Sequence, residues 1–152
     1  MSTAPSVTRL PASGLPDGVR IVEHTADTGI EAEGATLEQC FARTAAGMFA
    51  CFIGDGGRDG QALEVEVHAD GLEELLVAWL EELLYRAEVA GLVFHTFEVM
   101  EVGRSSLRAR VRGRRLRPDD EPTGATVKAV TRHELTVERI DGRWLARVLF
   151  DI

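Results

Sequence analysis

The sequence predicts an α+β fold: a single two-layer domain in which two amphipathic helices cover one face of a mainly antiparallel sheet. Apolar residues recur at helical spacing in two stretches, Leu37 to Phe52 and Leu72 to Ala87. They alternate residue by residue in about six or seven others. Turn residues join many of these alternating stretches directly, which points to hairpins rather than crossover connections.

Taken in order, Ser2 to Asp17 is rich in Pro, Gly and Ser and reads as a loose leader, so the division is a flexible leader over 1–18 and one domain over 19–152. Val19 to Val22 is a short first strand. A polar cluster follows, Glu23-His24-Thr25-Ala26-Asp27-Thr28-Gly29, after which Ile30 and Ala32 alternate with Glu31 and Glu33 as a strand with one buried face. Side chains at a strand's start can converge without being covered. Such a cluster can hold a cation, orient a nucleophile or tie down a turn, and Asp and Thr are ordinary turn formers.

Thr36 opens the first helix, with Gln39 three residues on in a capping-box arrangement. Gly54 to Gly60 ends it as a flexible loop, whose two aspartates lack the ligand spacing of an EF-hand. Leu63, Val65 and Val67 alternate as the next strand. Asp70 with Glu73 caps a second helix that runs to about Ala90 and stops at Gly91. Its glutamates form a solvated face, with Glu82 flanking the apolar stripe. Leu92 to Val102 is a long extended run, followed by a strand holding Leu107, Ala109 and Val111.

The other face of that strand carries Arg108, Arg110 and Arg112. Seven of the chain's 17 Lys and Arg residues fall between Arg104 and Arg117, a segment with no acid. This is either a solvated face neutralised by neighbouring glutamates or a contact for RNA phosphate or an acidic partner. Pro118 to Gly124 is a loop, Val127 to Ile140 a strand or pair of strands, and Asp141-Gly142 a hairpin turn into a last strand from Trp144 to Ile152.

Composition excludes several functions. A net charge of -8 argues against binding nucleic acid through the whole surface. No apolar run approaches the roughly 18 residues that span a bilayer, and no signal pattern opens the chain. Cys40 and Cys51 near the two ends of one helix would lie roughly 16 Å apart, too far for a disulfide. They read as reduced core residues, consistent with a cytoplasmic protein. Two cysteines and four scattered histidines give no zinc signature. There is no phosphate-cradling Gly-rich loop, no nucleophile elbow, and no convincing nucleophile beside His24 and Asp27 or His133 and Glu134.

At the far end, Asp151 beside the carboxylate of Ile152 puts two anions within a few ångströms, which repel unless a cation or an arginine lies between them. If Asp27 approaches the same point, three hard oxygen donors converge, a set that suits calcium, magnesium or manganese rather than zinc. Spacing alone does not establish that they meet.

Several segments together resemble the archease family, accessory proteins of RtcB-type RNA ligases. They are Glu23 to Gly29, Thr36-Leu37-Glu38, Trp79-Leu80-Glu81-Glu82-Leu83-Leu84-Tyr85, Val127-Lys128-Ala129-Val130-Thr131 and Val148-Leu149-Phe150-Asp151-Ile152. The resemblance covers about residue 19 to the C-terminus, with the motifs in order. It implies a non-enzymatic, cytoplasmic activator that speeds guanylate transfer from GTP onto the ligase's active-site histidine and restores multiple turnover, as in tRNA splicing or RNA repair. It also implies a divalent-metal site at Asp27, Asp151 and the Ile152 carboxylate, and an activating role for Lys128. His24 and Glu82 are further candidates for ligase activation, and any RNA contact is indirect. Many relatives read Thr-Tyr-His where this chain has Thr131-Arg132-His133, which leaves any local role of His133 open. Two other readings stand beside this one: a metal-dependent phosphodiesterase or hydrolase with His24 or His133 as base, and an RNA-binding or chaperone-like module acting through the arginines.

Overall fold

The computed structural model of the chain describes residues 5–23, 27–54, 57–119 and 127–152. Nine strands and two helices follow in the order β1 (Ser6–Arg9), β2 (Val19–Glu23), β3 (Thr28–Gly34), α1 (Leu37–Phe52), β4 (Gln61–His68), α2 (Leu72–Ala90), β5 (Leu92–Val102), β6 (Ser106–Arg115), β7 (Ala129–Val130), β8 (Thr136–Ile140) and β9 (Arg143–Asp151). The α+β class and the antiparallel pairing are as the sequence predicts. The strands divide, however, between two sheets. One has the order β1-β5-β6-β4; the other runs β2-β3-β9-β7, with β8 also paired to β9. Alternation sets which face of a strand is buried but not which strand lies beside it, so the division has no local signature.

Both helices pack against both sheets. Phe49 of α1 sets its ring 5.5 Å from Phe94 and 5.4 Å from Phe97 of β5, while Phe52 lies 5.2 Å from Phe150 of β9. Trp79 of α2 is fully buried and its indole Nε1–H donates to the Phe41 carbonyl at 3.0 Å, joining the helices. Glu38 is buried, and its carboxylate accepts from Val102 N–H at 3.0 Å, tying the start of α1 to the end of β5.

The Thr36 cap forms as expected: its hydroxyl accepts from Gln39 N–H at 3.1 Å, and Gln39 Oε1 accepts from Ala35 N–H at 2.7 Å. At α2 the expected cap is displaced. Gly71, not Asp70, is the N-cap residue, and no side chain bonds the first turn; the stop at Gly91 is as read. Ser6–Arg9, inside the segment read as a leader, pairs with β5 as an edge strand. Both cysteines are free, and burial pushes the Cys40 thiol up to about 12, so it is an inert core group. Among the described residues no helix is long and apolar enough to cross a membrane.

Candidate functional site

The second sheet gathers the sequence's two distant polar segments at one end. β3 pairs with β9 from Gly34 opposite Trp144 to Thr28 opposite Phe150. Asp27 precedes Thr28 and Asp151 follows Phe150, so each lies one residue beyond the last pair of this ladder. On the opposite edge of β9, Ala129 of β7 pairs with Asp151, and Lys128 N–H donates to the Asp151 carbonyl at 2.8 Å. The β3 end that Asp27 precedes and Lys128 thus border the end of β9 from its two sides.

Local packing holds this end of the sheet together. Ala146, Val148 and Phe150 of β9 and Ile30 and Ala32 of β3 are buried in the core. Phe150 against Phe52 anchors the last strand, while Asp151 beyond it is exposed. Gly29 lets the strands close: a Cβ there would lie 2.2 Å from the Val148 carbonyl oxygen. Between β2 and β9, Glu31 is a cross-strand clamp. It accepts from Arg20 Nη2 at 2.6 Å and from Arg147 Nε at 2.7 Å. Burial pushes the Glu31 carboxyl up, but the bonds from the two arginines together outweigh it and hold the group below its ordinary range.

Among the described residues no such cation neutralises the end of the sheet. Among the described residues neither Asp27 nor Asp151 takes part in an ion pair, and no three His, Cys, Asp or Glu residues group as a cation site. The expected donors, the Asp27 and Asp151 side chains and a carboxylate at Ile152, would all be oxygen ligands, and the chemistry of such a set fits calcium, magnesium or manganese.

The remaining predicted residues are spread around this end and beyond it. Lys128 lines a shallow groove of about 490 Å³ with Glu81, Tyr85 and Glu88 of α2. Glu82 faces a second recess with Glu66 and His68, and its carboxylate accepts from Arg86 Nε at 2.7 Å. Tyr85 borders both recesses and is 60% exposed, a surface aromatic to which the sequence reading assigns no role. Its position off the apolar stripe of α2 is the signal that could have marked it. His24 lies outside the described residues, as does most of the loop read between Pro118 and Gly124.

Arg108, Arg110 and Arg112 lie on the first sheet, on strand β6. Arg110 pairs with Glu64 at 2.7 Å and Arg108 with Glu101 at 3.5 Å, so most of this face alternates in charge. Arg132, where an aromatic is expected, forms a two-pronged bond with Glu74 of α2 (Nε to Oε2 and Nη2 to Oε1, each 2.8 Å). The connection between β7 and β8 is thereby tied to α2.

Comparison with known proteins places this fold. The profile of the Archease protein family matches residues 20–152. Protein archease of Pyrococcus furiosus is 38% identical over 135 residues, covering 86% of this chain and 95% of the relative. Protein archease of Methanosarcina acetivorans is 40% identical over 136 residues, covering 86% and 93%. The solution structure of protein 1598 of Methanobacterium thermoautotrophicum superposes with a TM-score of 0.71 at 28% identity, covering 89% of this chain and 99% of that one. The crystal structure of an archease from Thermotoga maritima, titled a possible chaperone, superposes at 0.62 and 22% identity, covering 86% and 94%, and bears on the fold alone. With the family profile matching nearly the whole domain and relatives near 40% identical, the chain belongs to the archease family.

Proposed function

We propose that the chain is a cytoplasmic accessory protein that activates an RtcB-type RNA ligase, promoting its guanylylation by GTP and its multiple turnover in tRNA splicing or RNA repair. One observation supports the reading: the β3 end that Asp27 precedes and Lys128 both border the Asp151 end of β9, an exposed end of the second sheet. Asp27, Asp151 and the Ile152 carboxylate would hold a calcium, magnesium or manganese ion, which when bound supplies positive charge toward phosphate oxygens. Three anions brought together there would otherwise repel one another. Lys128 offers an ammonium beside them, on the groove edged by Tyr85, where a partner's acidic or phosphate group can be met. Glu82 and His24 are secondary candidates for the same contact.

Turnover and guanylylation of such a ligase, measured with and without this protein, test the proposal. Stimulation at less than one activator per ligase supports it; no change in either quantity overturns it. Phosphodiester hydrolysis by the chain alone would favour the hydrolase reading instead.

A further inference from the structure

We propose that the recess where β1, β5 and β6 meet the segment entering β4 is a binding site for a phosphate-bearing small molecule, recognised through its phosphates. The recess has a volume of about 660 Å³ and is lined by Arg9, Arg58 and Arg112, within the size range of small-molecule sites. It lies on the first sheet, whereas the Asp27, Lys128 and Asp151 end belongs to the second. The two proposals therefore stand or fall separately.

The first argument is charge. Arg112 continues the row of Arg108 and Arg110, but its surroundings differ. Its neighbours in register are Ala62 and Thr96, where Arg110 has Glu64 and Glu98. Among the described residues its guanidinium bonds only the Gly60 carbonyl, from Nη1 at 3.1 Å, which orients the group without neutralising it. Arg9 and Arg58 form no ion pair among the described residues. Among the described residues, three guanidiniums thus share a recess with a single carboxylate on its lining, that of Asp59, in a chain whose net charge is -8. Like charges so placed repel, and an anion between them relieves the repulsion.

The second argument is that the recess has a fixed floor. The β5–β6 register shifts between Phe94 and Thr96, so His95 sits in a bulge, a feature that re-aims a side chain. His95 is only 4% exposed, and both ring nitrogens are used: Nε2 lies 2.9 Å from the Asp59 carbonyl and Nδ1 2.7 Å from Thr96 Oγ1. A neutral ring satisfies both if Nε2–H donates to the carbonyl and Nδ1 accepts from the hydroxyl. The same segment is pressed onto β6 at Gly60, where a Cβ would lie 1.7 Å from the Gly113 carbonyl oxygen. His95 and Gly60 together fix the backbone that carries Arg58.

The lining also restricts the ligand. Among the described residues Leu10 is its one apolar side chain and His95 its one aromatic ring, and that ring is buried and bonded in the bulge. These residues offer no flat apolar wall on which a base could stack. Guanidiniums take phosphate oxygens in pairs, so several together select a di- or polyphosphate over a single small anion.

Calorimetric titration of the full chain at low salt is the test, with pyrophosphate, ADP and inorganic phosphate as probes. Pyrophosphate and ADP should compete for one site with affinities within about threefold, and phosphate should bind at least about tenfold more weakly. Arg58→Ala and Arg112→Ala should each weaken pyrophosphate about tenfold or more, Arg58→Lys should recover part of the loss, and Arg108→Ala should change nothing. Arg112→Ala removes the bond to Gly60, so Arg9→Ala replaces it if that variant melts early. Absence of pyrophosphate binding at millimolar concentration, or native affinity in the Arg58→Ala and Arg9→Ala chains, overturns the site. ADP binding more than about tenfold tighter than pyrophosphate overturns the phosphate-only recognition.

Discussion

Gly29→Ala probes the contact that brings the two carboxylate-bearing strands together. A Cβ at this position would lie 2.2 Å from Val148 O, 2.5 Å from Leu149 Cδ2 and 2.9 Å from Leu149 Cα. Two of these atoms are backbone and cannot rotate away. Ordinary contact distances near 3.5 Å require β3 and β9 to part locally by about 1 Å. Overpacking of this kind costs about 1–3 kcal/mol, and one or two stretched ladder hydrogen bonds add about 1 kcal/mol each. A total of about 3 kcal/mol lowers the melting temperature by roughly 6–12 °C for a chain of this size. The displacement also reaches Asp27, two residues away, while metal ligands tolerate only about 0.2 Å. Cation affinity should therefore fall at least about tenfold. Leu107→Ala in β6, fully buried on the first sheet, is the control: it costs about 2–5 kcal/mol but should leave cation affinity unchanged. Thermal melts and calorimetric titration with manganese and calcium read both effects. A Gly29→Ala chain that melts within about 2 °C of the native protein refutes the packing argument. One that melts early but binds the cation normally refutes the link between register and site.

The Glu31 clamp predicts a pH dependence. Its folded-state pKa lies below the ordinary carboxyl value of 4.5, so the stability it contributes is fully present above about pH 4.5 and is lost as pH falls through the folded value. Glu31→Gln should cost about 1–2 kcal/mol at neutral pH, a figure kept low by the exposure of Arg20 and Arg147. The gap between native and variant melting temperatures should close as pH is lowered, and a gap that persists at pH 2 contradicts the assignment. Adding one glycine after Ile152 moves the chain's carboxylate by about 3.5 Å and leaves a neutral carbonyl in its place. Titration should then show most cation affinity lost with melting unchanged; retained affinity removes Ile152 from the ligand set.

Features governed by neighbours in the chain were legible in the sequence. The Thr36–Gln39 cap, the stop at Gly91 and the Asp141-Gly142 turn, with both residues at positive φ, all formed where their residue types call for them. Asp70 and Glu73 show the limit of the same reasoning, since Gly71 between them took the cap position. Ser6–Arg9 carries the composition of a leader yet pairs with β5, because an edge strand can draw its hydrogen bonds from a partner far along the chain. The division into two sheets was illegible for the same reason. Asp27 and Asp151 could be named from their chemistry, but that each lies one residue past the last pair of the same ladder depends on the β3–β9 register. The arginine row likewise looked uniform along β6, and only its cross-strand neighbours separate Arg112 from Arg108 and Arg110.

The central claim is that the carboxylates at the β3–β9 end act in ligase activation, and Asp151→Asn tests it most directly. The substitution keeps the side chain's size, removes one charge, and falls at an exposed strand end. Guanylylation of an RtcB-type ligase by GTP is measured with activator limiting, comparing the native chain with Asp151→Asn and with Lys128→Ala at equal melting temperature. The account predicts that the native chain restores turnover and that Asp151→Asn loses at least about tenfold of that stimulation, with Lys128→Ala also impaired. Undiminished stimulation by the Asp151→Asn chain would contradict it.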